Sequence, residues 1–234
     1  KDQEDKALFP YVLFDLDGTL TDPKPGITQC VQYALHCMGI EEPDLDKLEP
    51  FIGPPLTDSF REFYGMDQEQ AAEAVAKYRE RFSEKGLYEN EIYPGMKQML
   101  EKLKTAGCHL AVASSKPEHF VKKILVYFDI DGYFEVIVGS ELDGTRSQKE
   151  EVVAEALRRF FPDGNIPCDD IVMVGDRKFD IIGGREMGLH QIGVTYGYAP
   201  EGELEAAEAE YIVHDLDELE RVLIWQGNQN AGMK

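Results

Sequence analysis

Two carboxylates, Asp15 and Asp17, stand at the end of the apolar run Tyr11-Val12-Leu13-Phe14, just before Gly18. Acids this close repel each other, and each can act as a base, an acid or a ligand for a hard cation. Further along, Ser114 and Ser115 close a second apolar run, Asp176 closes a third with Asp180 shortly after it, and Lys149 opens a helical stretch. Hydroxyls, an ammonium and several carboxylates are the groups an enzyme uses to hold an anion and move protons around it. Whether they can cooperate depends on the elements that carry them.

Residues 11–15 read as a strand. Helical spacing begins at residues 26–39, where Ile27, Val31, Ala34, Leu35 and Met38 recur on one face and Gly39 ends the run. Short helices are expected at 44–50 and 55–64, around the turn "IGPP". A longer one is expected at 68–84, through Ala71, Val75, Tyr78 and Phe82. After residue 90 the pattern changes to alternation. Strands are predicted at 109–115, 134–140, 170–176, 190–195 and 211–213, with helices at 95–107, 117–128, 147–160 and 180–188 and a last one from Asp215. Such alternation implies a mostly parallel sheet covered on both faces, whose right-handed crossovers bring all strand C-termini to one rim. Ligands bind at that rim in open sheets. Asp15, Asp17, Ser114, Ser115 and Asp176 all fall there, which is a reason for two acids to end an apolar strand. The helical stretch interrupts the repeat after a single strand, so the chain divides into an α/β core of residues 1–22 and 91–234 and an inserted helical cap of residues 23–90.

The composition narrows the chemistry. The chain has 234 residues, 43% of them hydrophobic, enough for a packed core, and a formal net charge of −21. That charge argues against binding a nucleic-acid polymer and repels phosphorylated metabolites at long range. An anionic substrate therefore needs local positive charge from a metal, a lysine or helix N-termini. Cys30, Cys37, Cys108 and Cys168 form no CxxC pair and read as reduced, mostly buried thiols. His36, His109, His119, His190 and His214 are scattered and suggest no ligand pair, and Trp225 reads as packing. Neither a signal-peptide pattern nor an apolar run long enough for a bilayer is found, so a cytoplasmic protein without membrane partners is expected. The chain opens at Lys1 rather than Met, so a few upstream residues are expected. "KDQEDKALFP" reads as a polar lead-in, "WQGNQNAGMK" as a frayed tail and "EGELEAAEAE" (201–210) as a solvated surface helix.

Four motifs in register resemble the haloacid dehalogenase (HAD) superfamily. They are "DLDGTL" after the first strand, "LAVASSK" (110–116), Lys149 at a helix start, and "MVGDRKFD" (173–180). "GDRKFDIIGGREMG" resembles the phosphoglycolate phosphatase-like branch with a helical cap, and "GSELDGTRSQKEEVVAEAL" (139–157) resembles its 5′-nucleotidase-like members. The resemblance implies a Rossmann-like parallel-sheet core and a Mg²⁺-dependent phosphatase. Asp15 would be the nucleophile, forming a phosphoaspartate, and Asp17 the general acid and base. Mg²⁺ would be bound by Asp15, the Asp17 backbone carbonyl and Asp176, with Asp180 holding a metal-bound water or orienting the shell. Ser114, Lys149 and backbone N–H groups near Leu16, Asp17 and Ser115 would hold the phosphate. The family pattern favours Lys149 over Lys116 as the phosphate ligand and leaves Lys116 as a surface lysine. Arg177 is assigned no chemistry, and Asp180 could equally cap a helix.

The expected enzyme is a phosphoric monoester hydrolase acting on a small phosphorylated metabolite, a 5′-nucleotide, phosphoglycolate or a sugar phosphate, as a monomer or homodimer. Specificity is expected from the cap. There, Phe51, Ile52 and Gly53 form an apolar turn, and Arg61, Arg79 and Arg81 either meet an anionic substrate tail or lie on solvated faces. Two alternatives remain at this point: a phosphosugar mutase of the same fold, and a non-catalytic binding protein. A dehalogenase does not suit Asp17 and the acidic fourth motif, and phosphonate hydrolysis would need a reactive cap lysine that Lys24, Lys47, Lys77 and Lys85 do not match in context.

Overall fold

The computed structural model describes residues 6–225. The chain runs through β1 (Lys6–Ala7), β2 (Tyr11–Phe14) and β3 (Thr21–Asp22) into α1 (Lys24–Cys37). A 3₁₀ turn over Leu45–Phe51, α2 (Leu56–Tyr64), α3 (Gln68–Arg81) and a π turn over Phe82–Gly86 follow. Alternation then begins with β4 (Glu91–Ile92), α4 (Met96–Thr105), β5 (His109–Pro117), α5 (Glu118–Tyr127) and β6 (Val136–Ser140). It continues with α6 (Lys149–Phe160), β7 (Ile171–Gly175), α7 (Lys178–Glu186), β8 (His190–Val194), α8 (Glu203–Ala206), β9 (Tyr211–Val213), α9 (Leu216–Leu223) and β10 (Ile224–Trp225).

Six strands form one sheet in the order β6-β5-β2-β7-β8-β9, and every neighbouring pair is parallel. The apolar run of β2 sits at its middle. Val12 and Phe14 join one core with Val112 and Val174, while Leu13 joins the opposite core with Ala111 and Met173. A strand apolar on both faces is the mark of a sheet covered on both sides. Phe14 pairs with Val112 on one side and Val174 on the other, so the residues that follow on all three strands emerge together at the rim.

The helical insert leaves and rejoins the sheet through an antiparallel ribbon, Thr21 opposite Ile92 and Asp22 opposite Glu91. Its Ile27, Val31, Phe60 and Val75 belong to the same continuous apolar core as Phe14. Each fully buried aliphatic or aromatic side chain is worth about 1.5–3 kcal/mol, so the insert is held by packing as well as by its two connections. α1 starts two residues before its expected first residue because Pro25 sits in the first turn, where its missing N–H costs nothing.

Two readings are corrected. The "polar lead-in" contributes β1, whose Lys6 and Ala7 pair antiparallel with Trp225 and Ile224. The stretch 201–210 is helical only over Glu203–Ala206, and Leu204 and Ala207 are buried against Ile181, so it is not a solvated helix. The expected tail after Trp225, the Trp225 side chain and residues 1–5 lie outside the described residues. Free cysteines are buried at 30 and 108, half-buried at 168 and exposed at 37.

Candidate active site

The rim gathers the acids as the strands dictate. Asp15 continues β2, its N–H donating to Val174 O at 2.9 Å. Asp176 follows β7, and Asp180 stands in the first turn of α7. Oxygens of these three buried carboxylates lie within 4.8 Å of one another. Asp176 is fully buried, and the backbone is shaped around it. Gly18 turns with φ +82°, and a Cβ there, or at Gly197, would overlap the Asp176 side chain. Tyr198 N–H donates to Asp176 Oδ2 at 2.7 Å, and Asp176 Oδ1 is buried without a donor.

Asp180 serves two neighbours. Its Oδ2 accepts from Arg177 N at 3.0 Å, which satisfies a free N–H at the start of α7, and its Oδ1 faces Lys149 at 2.7 Å. Lys149 Nζ also lies 2.9 Å from Asp15 Oδ1 and donates to Ala113 O at 3.0 Å. The ammonium thus stands against two of the three acids, with Asp15 Oδ1 and Asp180 Oδ1 within ion-pair distance but lacking an aligned hydrogen bond. Burial would lower the Lys149 pKa, and the charges of Asp15 and Asp180 outweigh it and raise it.

The acids respond in the opposite way. Burial, then the charges of Asp180 and Asp15, push Asp176 well above the usual carboxylate range, against the pull of the Tyr198 N–H. Burial pushes Asp180 up to about 6, with Lys149 opposing and Asp15 adding. One ammonium does not neutralise three buried carboxylates, and a buried oxygen with no donor is costly. A hard divalent cation removes both problems, since it takes carboxylate oxygens without needing donors, so these residues fit the metal. The donor set is all oxygen, the chemistry of Mg²⁺ rather than of a thiolate or imidazole metal. Protons compete with a metal for such ligands. The apparent Mg²⁺ dissociation constant, read by calorimetry, is therefore expected to rise as pH falls from 7.5 through about 6, and a flat profile would contradict the arrangement.

Asp17 lies beside this group but points elsewhere. Its Oδ2 is 2.6 Å from Lys116 Nζ, and both side chains are buried. Burial raises the Asp17 pKa, with Lys116 opposing and Asp15 adding. This corrects the surface reading of Lys116, whose ammonium also sits 4.7 Å over the Phe82 ring of the insert. A break in the β5–β6 register between Ala113 and Pro117 turns Lys116 toward the rim, a feature without a sequence period. Ser114 and Ser115 lie where expected, and Ser114 Oγ accepts from Lys116 N at 3.3 Å.

Asp15, Asp17, Ser114, Ser115 and Lys116 open onto a cavity of about 430 Å³ between sheet and insert. Phe51 and Gly53 of the apolar turn line it from the insert, while Ile52 between them is buried in the core and does not. Arg177, given no chemistry from the sequence, spans the two parts: its Nη1 donates to Ile52 O at 2.7 Å and its Nε to Glu203 at 2.8 Å. Glu203 was hidden in an acidic, Ala-rich stretch that reads as surface. Among the insert arginines, Arg61 is exposed and Arg81 is paired with Glu89 at 2.7 Å, while Arg79 reaches the cavity.

The family model described as haloacid dehalogenase-like hydrolase matches residues 12–194. The 5′-nucleotidase of Pseudomonas aeruginosa is 47% identical over 94% of this chain and 98% of its own length. The tyrosine-protein kinase PtkA of Mycobacterium tuberculosis is 37% identical over 91% of this chain and 72% of its own. The phosphoglycolate phosphatase of Vibrio parahaemolyticus is 27% identical over 91% and 95%. The crystal structure of a predicted phosphatase from Clostridium acetobutylicum, 48% identical, matches with a TM-score of 0.87 and covers 92% of this chain and 98% of that one. Motif order, sheet order, the family model and the nucleotidase and phosphoglycolate phosphatase relatives agree, and the chain belongs to the haloacid dehalogenase-like hydrolases as a phosphoric monoester hydrolase with a helical insert.

Proposed function

We propose that the protein is a Mg²⁺-dependent phosphatase that works through a phosphoaspartate on Asp15, with 5′-nucleotides favoured over phosphoglycolate as substrates. The observation that carries this reading is the meeting of Asp15, Asp176 and Asp180 within 4.8 Å of one another, with Asp15 also lining a cavity that exposes Asp17. Mg²⁺ would be held by Asp15, Asp176 and the Asp17 backbone carbonyl, with Asp180 orienting the shell. When bound, it would supply the positive charge that lets a carboxylate approach a phosphoryl group.

In the first half-reaction an Asp15 oxygen attacks phosphorus and the bond to the leaving oxygen breaks. Asp17, whose pKa burial raises against the opposing pull of Lys116, would give a proton to that oxygen. In the second, Asp17 takes a proton from the attacking water, and the new bond to phosphorus releases Asp15 and inorganic phosphate. Lys149 and the Ser114 hydroxyl hold phosphate oxygens, and Lys149 keeps Asp15 oriented from 2.9 Å. The insert covers the cavity and limits water. The 5′-nucleotide preference is supported by the Pseudomonas aeruginosa relative and by the size of the cavity.

Phosphate release from nucleoside 5′-monophosphates, measured with Mg²⁺ and with a chelator, tests the reading. Release is expected only with the metal. The variant Asp17→Asn is expected to lose about 10²–10⁴ in turnover and to keep its Mg²⁺-induced thermal shift. Turnover unaffected by the chelator, or by the loss of the Asp17 proton, would overturn it.

A further inference from the structure

We propose that Arg79 is a specificity-determining residue that reads the leaving group, and that the leaving group carries a neutral, planar ring bearing hydrogen-bond acceptors, which is the chemistry of a nucleoside's base. This deepens the phosphatase reading and rests on it.

Arg79 sits on α3 and lines the cavity. Its Nη1 donates to Leu142 O at 2.6 Å, a carbonyl of the loop after β6, so the guanidinium is pinned across the gap between insert and sheet. No acidic side chain pairs with it among the described residues, and its Nε is buried without an acceptor. Burial holds its pKa below the ordinary arginine value, without removing the charge at any working pH. A half-buried guanidinium with donors to spare and no carboxylate partner is set to receive acceptors from a ligand.

The walls say what kind of ligand. Phe51, Tyr78, Phe82 and Phe120 line the cavity, with Tyr78 and Phe82 stacked at 5.3 Å and Phe82 edge-on to Phe120 at 5.1 Å. This is an environment for a flat apolar face. A cavity of about 430 Å³ lies in the range of roughly 300–1,000 Å³ usual for drug-sized ligands and is far larger than a two-carbon acid needs.

The charges argue against an anionic tail. Asp58, Glu141 and Asp143 share the cavity wall, and Lys116, the other cation there, is already engaged by Asp17. A carboxylate or second phosphate beside Arg79 would add negative charge to a wall that already carries three acids, whereas neutral ring nitrogens and carbonyls would not. A plain phenyl ring would satisfy the aromatic walls but leave Arg79 unanswered, and that separates a nucleoside from other aromatic leaving groups.

The test compares wild type with Arg79→Met, which keeps the stem, and Arg79→Lys, on three monoesters: adenosine 5′-monophosphate, phenyl phosphate and phosphoglycolate. Wild type is expected to prefer the nucleotide. Arg79→Met is expected to raise its KM about tenfold or more with kcat within about threefold, so that discrimination against phenyl phosphate falls about tenfold. Arg79→Lys, which lacks the planar fork, is expected to recover little of it. Binding of adenosine alone, followed by calorimetry, is expected to weaken in step and does not depend on turnover. Its loss in Arg79→Met would support the assignment even if the phosphoaspartate chemistry proved wrong. Equal losses on all three esters, adenosine binding that survives the substitution, or a preference for phosphoglycolate that vanishes with Arg79 would each overturn it.

Discussion

The variant Asp15→Asn is expected to release phosphate from any monoester about 10⁴-fold more slowly than wild type, or worse. The amide keeps the size of the side chain, the N–H bond to Val174 and the packing of β2, but it is a poor nucleophile toward phosphorus. Lys149, still anchored by Ala113 O and Asp180, loses only one of its acidic neighbours, so the fold should persist. Acid quenching during turnover gives a second reading. Labelled phosphate is expected on the wild-type protein and to be absent from the variant. Native-rate release by Asp15→Asn would remove the nucleophile from the mechanism, and label elsewhere on the variant would reassign it.

Asp176→Asn is expected to do two opposite things. Asp176 is fully buried, and burial together with Asp180 and Asp15 raises its pKa. A carboxyl whose folded pKa lies above its unfolded one favours the fold at low pH and loses that contribution as pH rises through the folded value. The metal-free protein is therefore destabilised at neutral pH by its own site. An amide removes one charge from the cluster and can still accept from Tyr198 N–H. Relief of about 1–2 kcal/mol would raise the metal-free melting temperature by roughly 3–6 °C in a protein of this size. The same change is expected to remove most of the stabilisation by Mg²⁺ and to cut phosphate release by about 10²-fold or more. A variant that melts lower than wild type without metal, and still gains from Mg²⁺, would refute the description of the cluster.

The two acids after β2 were legible because Val12, Leu13 and Phe14 are apolar without alternation, which only a central strand of a covered sheet tolerates. Asp176 followed from the same argument on β7. Lys149 and Asp180 were placed by resemblance, and the structure gives both a physical setting in one ion-pair group. Lys116 was not legible, since its direction depends on a local break in strand register. Glu203 was misread because composition marks an acidic stretch as solvated, although a single inward glutamate can hold an arginine. β1 and β10 are two residues each, too short for any periodicity, and each finds its partner at the opposite end of the chain. Arg79, Arg61 and Arg81 carry the same charge on neighbouring helices; the loop after β6, which no local pattern locates, is what singles out the first.

Arg177 follows Asp176 directly and reaches the insert through a buried bond to Ile52 O, braced by Glu203. Its own N–H, meanwhile, rests on Asp180. Separating the helices from the sheet would therefore require breaking a bond held by the residue that lies between two of the clustered acids. One residue thus ties the insert to the acid cluster without lining the cavity itself.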